Sequence, residues 1–125
     1  MSTNLETGPS IEYLPFMPTK LLLVHCTVPD HQTGARLAET LVSQGLAACV
    51  NITAPVTSVY RWEGKLESTN EHLLLIKTTK QQYDALEAQI RAQHPYELPE
   101  IIAVPVEQGL GGYLDWVEKC TTTNS

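Results

Sequence analysis

The sequence predicts an α+β chain of the ferredoxin-like kind. Two helices cover one face of a four-stranded antiparallel sheet in the order β-α-β-β-α-β, and a short helix follows at the C-terminus. Three observations lead there. Strand-like apolar stretches begin near Lys20 and end near Val106. Two intervening segments, around Leu37–Val42 and Tyr83–Ile90, repeat apolar residues at helical spacing. Between those helices, Ala48 to Thr79 reads as one very long β-hairpin.

Residues 1 to 18 read as a flexible leader, because Gly8, Pro9, Pro15 and Pro18 interrupt any periodicity. A single domain then spans 19–120, and 121–125 form a polar tail. The first strand runs from Lys20 to Thr27. Leu22, Val24 and Cys26 alternate with Leu21, Leu23 and His25, so both faces are largely apolar and the strand is expected at the centre of the sheet. Pro29-Asp30 marks a strand-to-helix junction in which Asp30 can cap the helix. Leu37, Ala38, Leu41 and Val42 form the apolar stripe, and Gly45 ends the helix in a left-handed conformation.

The hairpin follows. Its arms are ACVNITAPVTSVYRW and LESTNEHLLLIKTT, joined at Glu63-Gly64, where glycine tolerates a positive φ. If the first arm is regular, Val56, Ser58, Tyr60 and Trp62 share one face. Ordinary strands run about 5–6 residues. Arms this long outreach their own core and need cover from neighbouring subunits; the plainer alternative is two ordinary strands with a loose tip.

Thr79 and Gln82 have capping-box spacing for the second helix. Tyr83, Leu86 and Ile90 are its stripe, and Pro95 ends it near His94. His94-Pro95-Tyr96-Glu97-Leu98-Pro99-Glu100 is a stiff connector to a last strand, Ile101–Val106, where Pro105 implies an edge or a bulge. The final helix spans about Gly112 to Lys119, with Tyr113, Leu114 and Val117 on one face.

Composition narrows the function. The net charge is −6 with eight Lys and Arg that do not cluster, which argues against nucleic acid. No run reaches the roughly 20 apolar residues of a membrane span, and the N-terminus lacks the pattern of a secretory signal. Three cysteines make no disulfide framework and fit a reducing compartment, the cytoplasm. The glycines at 109, 111 and 112 lack the lysine of a phosphate loop, and no nucleophile–base order stands out, so the chain is read as a non-enzyme.

The metal-binding residue types are few. Cys26, at a strand end, is either a packed core thiol or a soft ligand, and Cys49 reads as core. His94 caps a helix, shuttles a proton or ligates a metal. Glu67, Glu71, Glu97 and Glu100 are the acids available. Thiolate suits Cu(I) or zinc, so Cys26 and His94 are the first candidates for a metal site, with Glu71 or Glu97 for compensating charge.

The chain resembles the CutA divalent-cation tolerance proteins. The signatures are Cys26-Thr27 with Pro29, LAACVNI (46–52), YRWEGK (60–65), Glu71 ahead of IKTT, HPYELPEI (94–101) and YLDW (113–116). The resemblance covers about Leu21 to Val117 and implies a ferredoxin-like homotrimer similar to the PII signalling proteins. It implies binding of copper or another divalent cation and a role in metal-ion tolerance. The alternative is a PII-like small-molecule sensor, with an unidentified protein or small-molecule partner. Carried onto this chain, the family's intersubunit cleft holds Cys26, Glu71, His94 and Glu97, lined by Tyr60, Trp62, Lys65, Lys77, Tyr96 and Trp116.

Overall fold

The computed structural model describes residues 20–121. The expected leader, and the tail beyond Thr121, lie outside the described residues. In chain order the elements are β1 (Leu21–Val28), α1 (His31–Ser43), β2 (Cys49–Ile52), β3 (Val56–Trp62), β4 (Lys65–Thr79), α2 (Lys80–Gln93), β5 (Ile101–Pro105) and α3 (Gly111–Cys120). The sheet order is β2-β4-β1-β5, with β3 continuing along β4, and every pairing is antiparallel. This is the expected ferredoxin-like α+β architecture, with β1 central between β4 and β5.

The local signals operate as anticipated. Asp30 Oδ1 accepts from the Thr33 amide at 2.7 Å and caps α1, which also holds the Asp30 carboxyl below its usual range. Thr79 Oγ accepts from the Gln82 amide at 3.3 Å and caps α2. Gly45, at φ 73°, closes α1 in the left-handed region. The hairpin turns on Glu63 (φ 50°) and Gly64 (φ 82°), positive at both central residues as a tight turn between twisted strands requires.

The core lies under the helices. Val24, Cys26 and Val28 of β1 and Leu74 and Ile76 of β4 pack against Leu37 and Leu41 of α1 and Leu86 and Ile90 of α2. Val42, expected in the α1 stripe, is instead exposed, and Gly34 takes its share of the contact. A side chain at Gly34 would meet Leu74 and Val28 at 3.2 Å, so the missing Cβ lets α1 lie close on the sheet. The opposite face has no such cover. There β5 leaves Ile102 54% and Val104 44% exposed, beside half-buried Leu23 and His25.

The first arm of the hairpin departs from the expected regular strand. β2 pairs in the register Ile52↔Leu74, whereas β3 pairs as Val56↔Glu71. The Thr53 amide still bonds the Leu73 carbonyl at 3.0 Å. Ala54 and Pro55 therefore stand opposite the single residue His72, which is a β-bulge. Proline has no N–H for the ladder, and a bulge is where it is tolerated. The extra residue inverts the alternation. Val50 and Ile52 join the helix-covered core, whereas Tyr60 and Trp62 share the side of β4 that carries Glu71.

Candidate functional site

The bulge and the proline-rich connector together build a cleft. One wall is β3, with Ser58, Val59, Tyr60 and Trp62; the other is the connector, with Pro95, Tyr96, Glu97, Leu98 and Glu100. Thr27 and Glu71 lie between them, and the cavity measures about 680 Å³. Strand alternation puts Thr27 and Glu71 on the sheet face that the helices leave open.

His94 holds the connector in place. It ends α2, where its amide still bonds the Ile90 carbonyl at 2.8 Å. Its ring is buried, with Nε2 2.7 Å from the Thr27 carbonyl and Nδ1 accepting the Tyr96 amide at 3.1 Å. A carbonyl only accepts and an amide N–H only donates, so the partners assign the neutral tautomer with the proton on Nε2. The Tyr96 ring packs on His94, with centroids 4.8 Å apart. Its hydroxyl donates to Glu71 Oε2 at 2.7 Å. Burial first, and then the Glu71 hydrogen bond and charge, push the Tyr96 phenol well above its usual range.

Glu71 is the focus of the cleft's charge. It is only 6% exposed, yet among the described residues no basic group lies within ion-pair distance of it. Its contact with Tyr96 uses one carboxylate oxygen. Glu97 and Glu100 add two more acids, and no described lysine, arginine or histidine lines the cavity. Glu100 was among the acids named from sequence but not among the expected site residues.

Cys26 and His94, expected as first copper ligands in a cleft between subunits, do not line this cavity within one chain. Cys26 pairs with Leu74 and sits at 0% exposure in the helix-covered core. Burial, reinforced by the Glu100 and Glu71 charges, pushes its thiol up to about 12. Both ring nitrogens of His94 are already engaged. Among the described residues, no three His, Cys, Asp or Glu side chains stand together so as to hold a metal ion.

Glu71, Glu97, Tyr60, Trp62 and Tyr96 line one cavity within a single chain, whereas the resemblance placed them in a cleft between subunits. Three other expected cleft residues do not line it within one chain. Lys65 lies exposed at the hairpin tip opposite Trp62. Lys77 donates to Asn51 Oδ1 and lies 3.8 Å from Cys49 Sγ. Trp116 stacks on Tyr113 with centroids 5.5 Å apart. Sequence reasoning missed Thr27, Ser58, Val59, Pro95 and Leu98 as cleft residues; Pro55, a proline inside a strand, was the signal for the bulge that positions the β3 wall.

Comparison with known proteins follows this geometry. A family model described as CutA1 divalent ion tolerance protein matches residues 22–120. The chain is 43% identical over 99 residues to the divalent-cation tolerance protein CutA of Thermus thermophilus, covering 79% of this chain and 96% of that one. It is 45% identical over 100 residues to the chloroplastic CutA 1 of Oryza sativa, covering 80% of this chain and 56% of that one, so it spans about half the length of that plant relative. The solved divalent cation tolerance protein of Thermus thermophilus superposes with a TM-score of 0.80 at 42% identity, covering 82% of this chain and 99% of that chain.

Proposed function

The chain belongs to the CutA1 divalent ion tolerance family, and from that premise we propose that it serves metal-ion tolerance as a homotrimer that binds cations in its acidic cleft. Copper is one of those ions. The reading is of binding without turnover. Its location is a reducing compartment, the cytoplasm in the first instance, in keeping with three free cysteines. No described helix is long and apolar enough to cross a membrane.

The observation that carries the cation reading is Glu71: a carboxylate 6% exposed, facing a cavity with two further acids and no described base. A buried anion without a counter-charge is costly, and a bound cation relieves that cost. Glu71, Glu97 and Glu100 offer hard oxygen donors in place of the Cys26 thiol. Tight capture of a metal requires additional donors, and a second copy is their natural source. The trimer is supported by the apolar sheet face at Ile102 and Val104 and by a 15-residue β4 that extends beyond the helices.

Equilibrium dialysis against Cu(II) tests the site. Wild type should retain copper, and Glu71→Gln with Glu97→Gln should lose most of it while keeping the same mass by light scattering. Equal retention by both proteins would remove the cleft from the function.

A further inference from the structure

The cleft is large for a bare ion and is walled by more than acids. Its volume of about 680 Å³ lies in the range of small-molecule sites. Three aromatic side chains line it: Tyr60 and Trp62, 41% and 42% exposed on alternate positions of β3, and Tyr96 on the facing connector. Val59, Pro95 and Leu98 add apolar surface between the polar groups. Two exposed rings and one half-buried ring, acids on both wall and floor, and no described basic side chain form a consistent set. Such a surface repels anionic metabolites and attracts organic cations, through the ring quadrupoles as well as through charge.

Glu71 supplies the independent observation. More than nine-tenths of it is buried, and its Oε2 is occupied by the Tyr96 hydroxyl at 2.7 Å. No described cation is paired with it. A carboxylate this buried, lining an open cavity without a described counter-charge, can accept from a charged donor outside the chain. An alkylammonium group satisfies it in both charge and hydrogen bonding. A hydrated divalent ion, by contrast, finds no group of three ligands among the described residues.

We propose that this cleft binds a linear alkyl diammonium ion. One ammonium donates to the Glu71 carboxylate on the floor. The methylene chain lies along Val59, Pro95 and Leu98. The second ammonium reaches Glu97 and Glu100, and Tyr60, Trp62 and Tyr96 enclose the cation with their rings. The inference rests on the same cleft as the metal-tolerance reading and names an organic ligand class for it.

The test is calorimetric titration of the full chain with 1,4-diaminobutane at neutral pH. 1,4-Butanediol serves as the neutral isostere, and Cu(II) is titrated in parallel. The diamine should bind and the diol should not. Glu71→Gln keeps an acceptor for Tyr96 but removes the charge, and should weaken diamine binding about tenfold or more. Trp62→Ala should weaken it roughly three- to thirtyfold, with circular dichroism unchanged in both variants. No diamine binding to wild type, equal binding of the diol, or an unchanged affinity in Glu71→Gln would each overturn the inference. If the diamine fails while copper binding is lost on Glu71→Gln, the metal reading stands and only the organic ligand falls. If the diamine binds as described while copper is indifferent to Glu71, the metal reading fails instead.

Discussion

His94→Ala separates a structural clamp from a metal ligand. The substitution removes the Nε2 bond to the Thr27 carbonyl at 2.7 Å and the Nδ1 acceptor for the Tyr96 amide at 3.1 Å. Each such bond contributes about 1 kcal/mol net, and a buried group left unpaired costs about 1–3 kcal/mol. Thr27 is 8% exposed, so its carbonyl, left with only the weak Cys26 Sγ donor at 3.8 Å, is poorly reached by water, whereas Tyr96 is half-buried and its amide is more easily solvated. The imidazole also leaves a gap beneath the Tyr96 ring. Together these come to roughly 2–4 kcal/mol. Urea unfolding at one fixed protomer concentration, with chelator present, is the measurement, since oligomer stability depends on concentration. A His94→Ala protein within about 0.5 kcal/mol of wild type would refute the clamp. Unchanged stability together with lost copper affinity would return His94 to the role of ligand.

Cys26 carries a pH signature. Its thiol is raised from 9.0 to about 12, so the folded chain keeps a proton that the unfolded chain gives up. The associated stability is complete below about pH 9 and is lost as pH rises towards about 12, so Cys26→Ala should flatten the alkaline decline of the urea midpoint. Mass spectrometry after brief iodoacetamide treatment at pH 8 should find Cys120 alkylated and Cys26 protected, in line with their exposed and buried positions. At the hairpin tip, Glu63 adopts φ 50° beside Gly64, and Glu63→Asn should stabilise the fold by a few tenths of a kcal/mol in thermal melts. Light scattering should give three times the 13.8 kDa chain mass, and Ile102→Lys on the open sheet face should reduce it; a monomeric wild type would end the trimer reading.

The fold was largely legible because its signals are local. Asp30, Gly45, Thr79 and Pro95 each fix a helix end through one backbone requirement, and the structure meets all four. The two apolar faces of β1 likewise anticipated its central place. The site was only partly legible, because it depends on parity and on distant contacts. Tyr60 and Trp62 reach the side of Glu71 because the bulge adds one residue, and regular alternation alone does not place them there. Cys26 and His94 share the right chemistry for copper, but ligand chemistry in a sequence does not reveal whether a thiol points into a core or whether an imidazole already serves two backbone groups. The anchoring role of Thr27 lies in its carbonyl, which no side-chain motif records.

The extra residue at Ala54-Pro55 also sets rules for altering the hairpin's length. Deleting Pro55 would restore one continuous register at the joint and leave Tyr60 opposite Glu67 and Trp62 opposite Lys65, still on the side of β4 that carries Glu71. Beyond that point, removing two residues from each arm conserves every orientation, because side chains repeat every second position. The distal ribbon is thus a cassette with an even-numbered reading frame, anchored at a single phase-setting joint. Redesign of its reach can proceed in matched pairs from the Glu63-Gly64 end without disturbing the sheet that supports it.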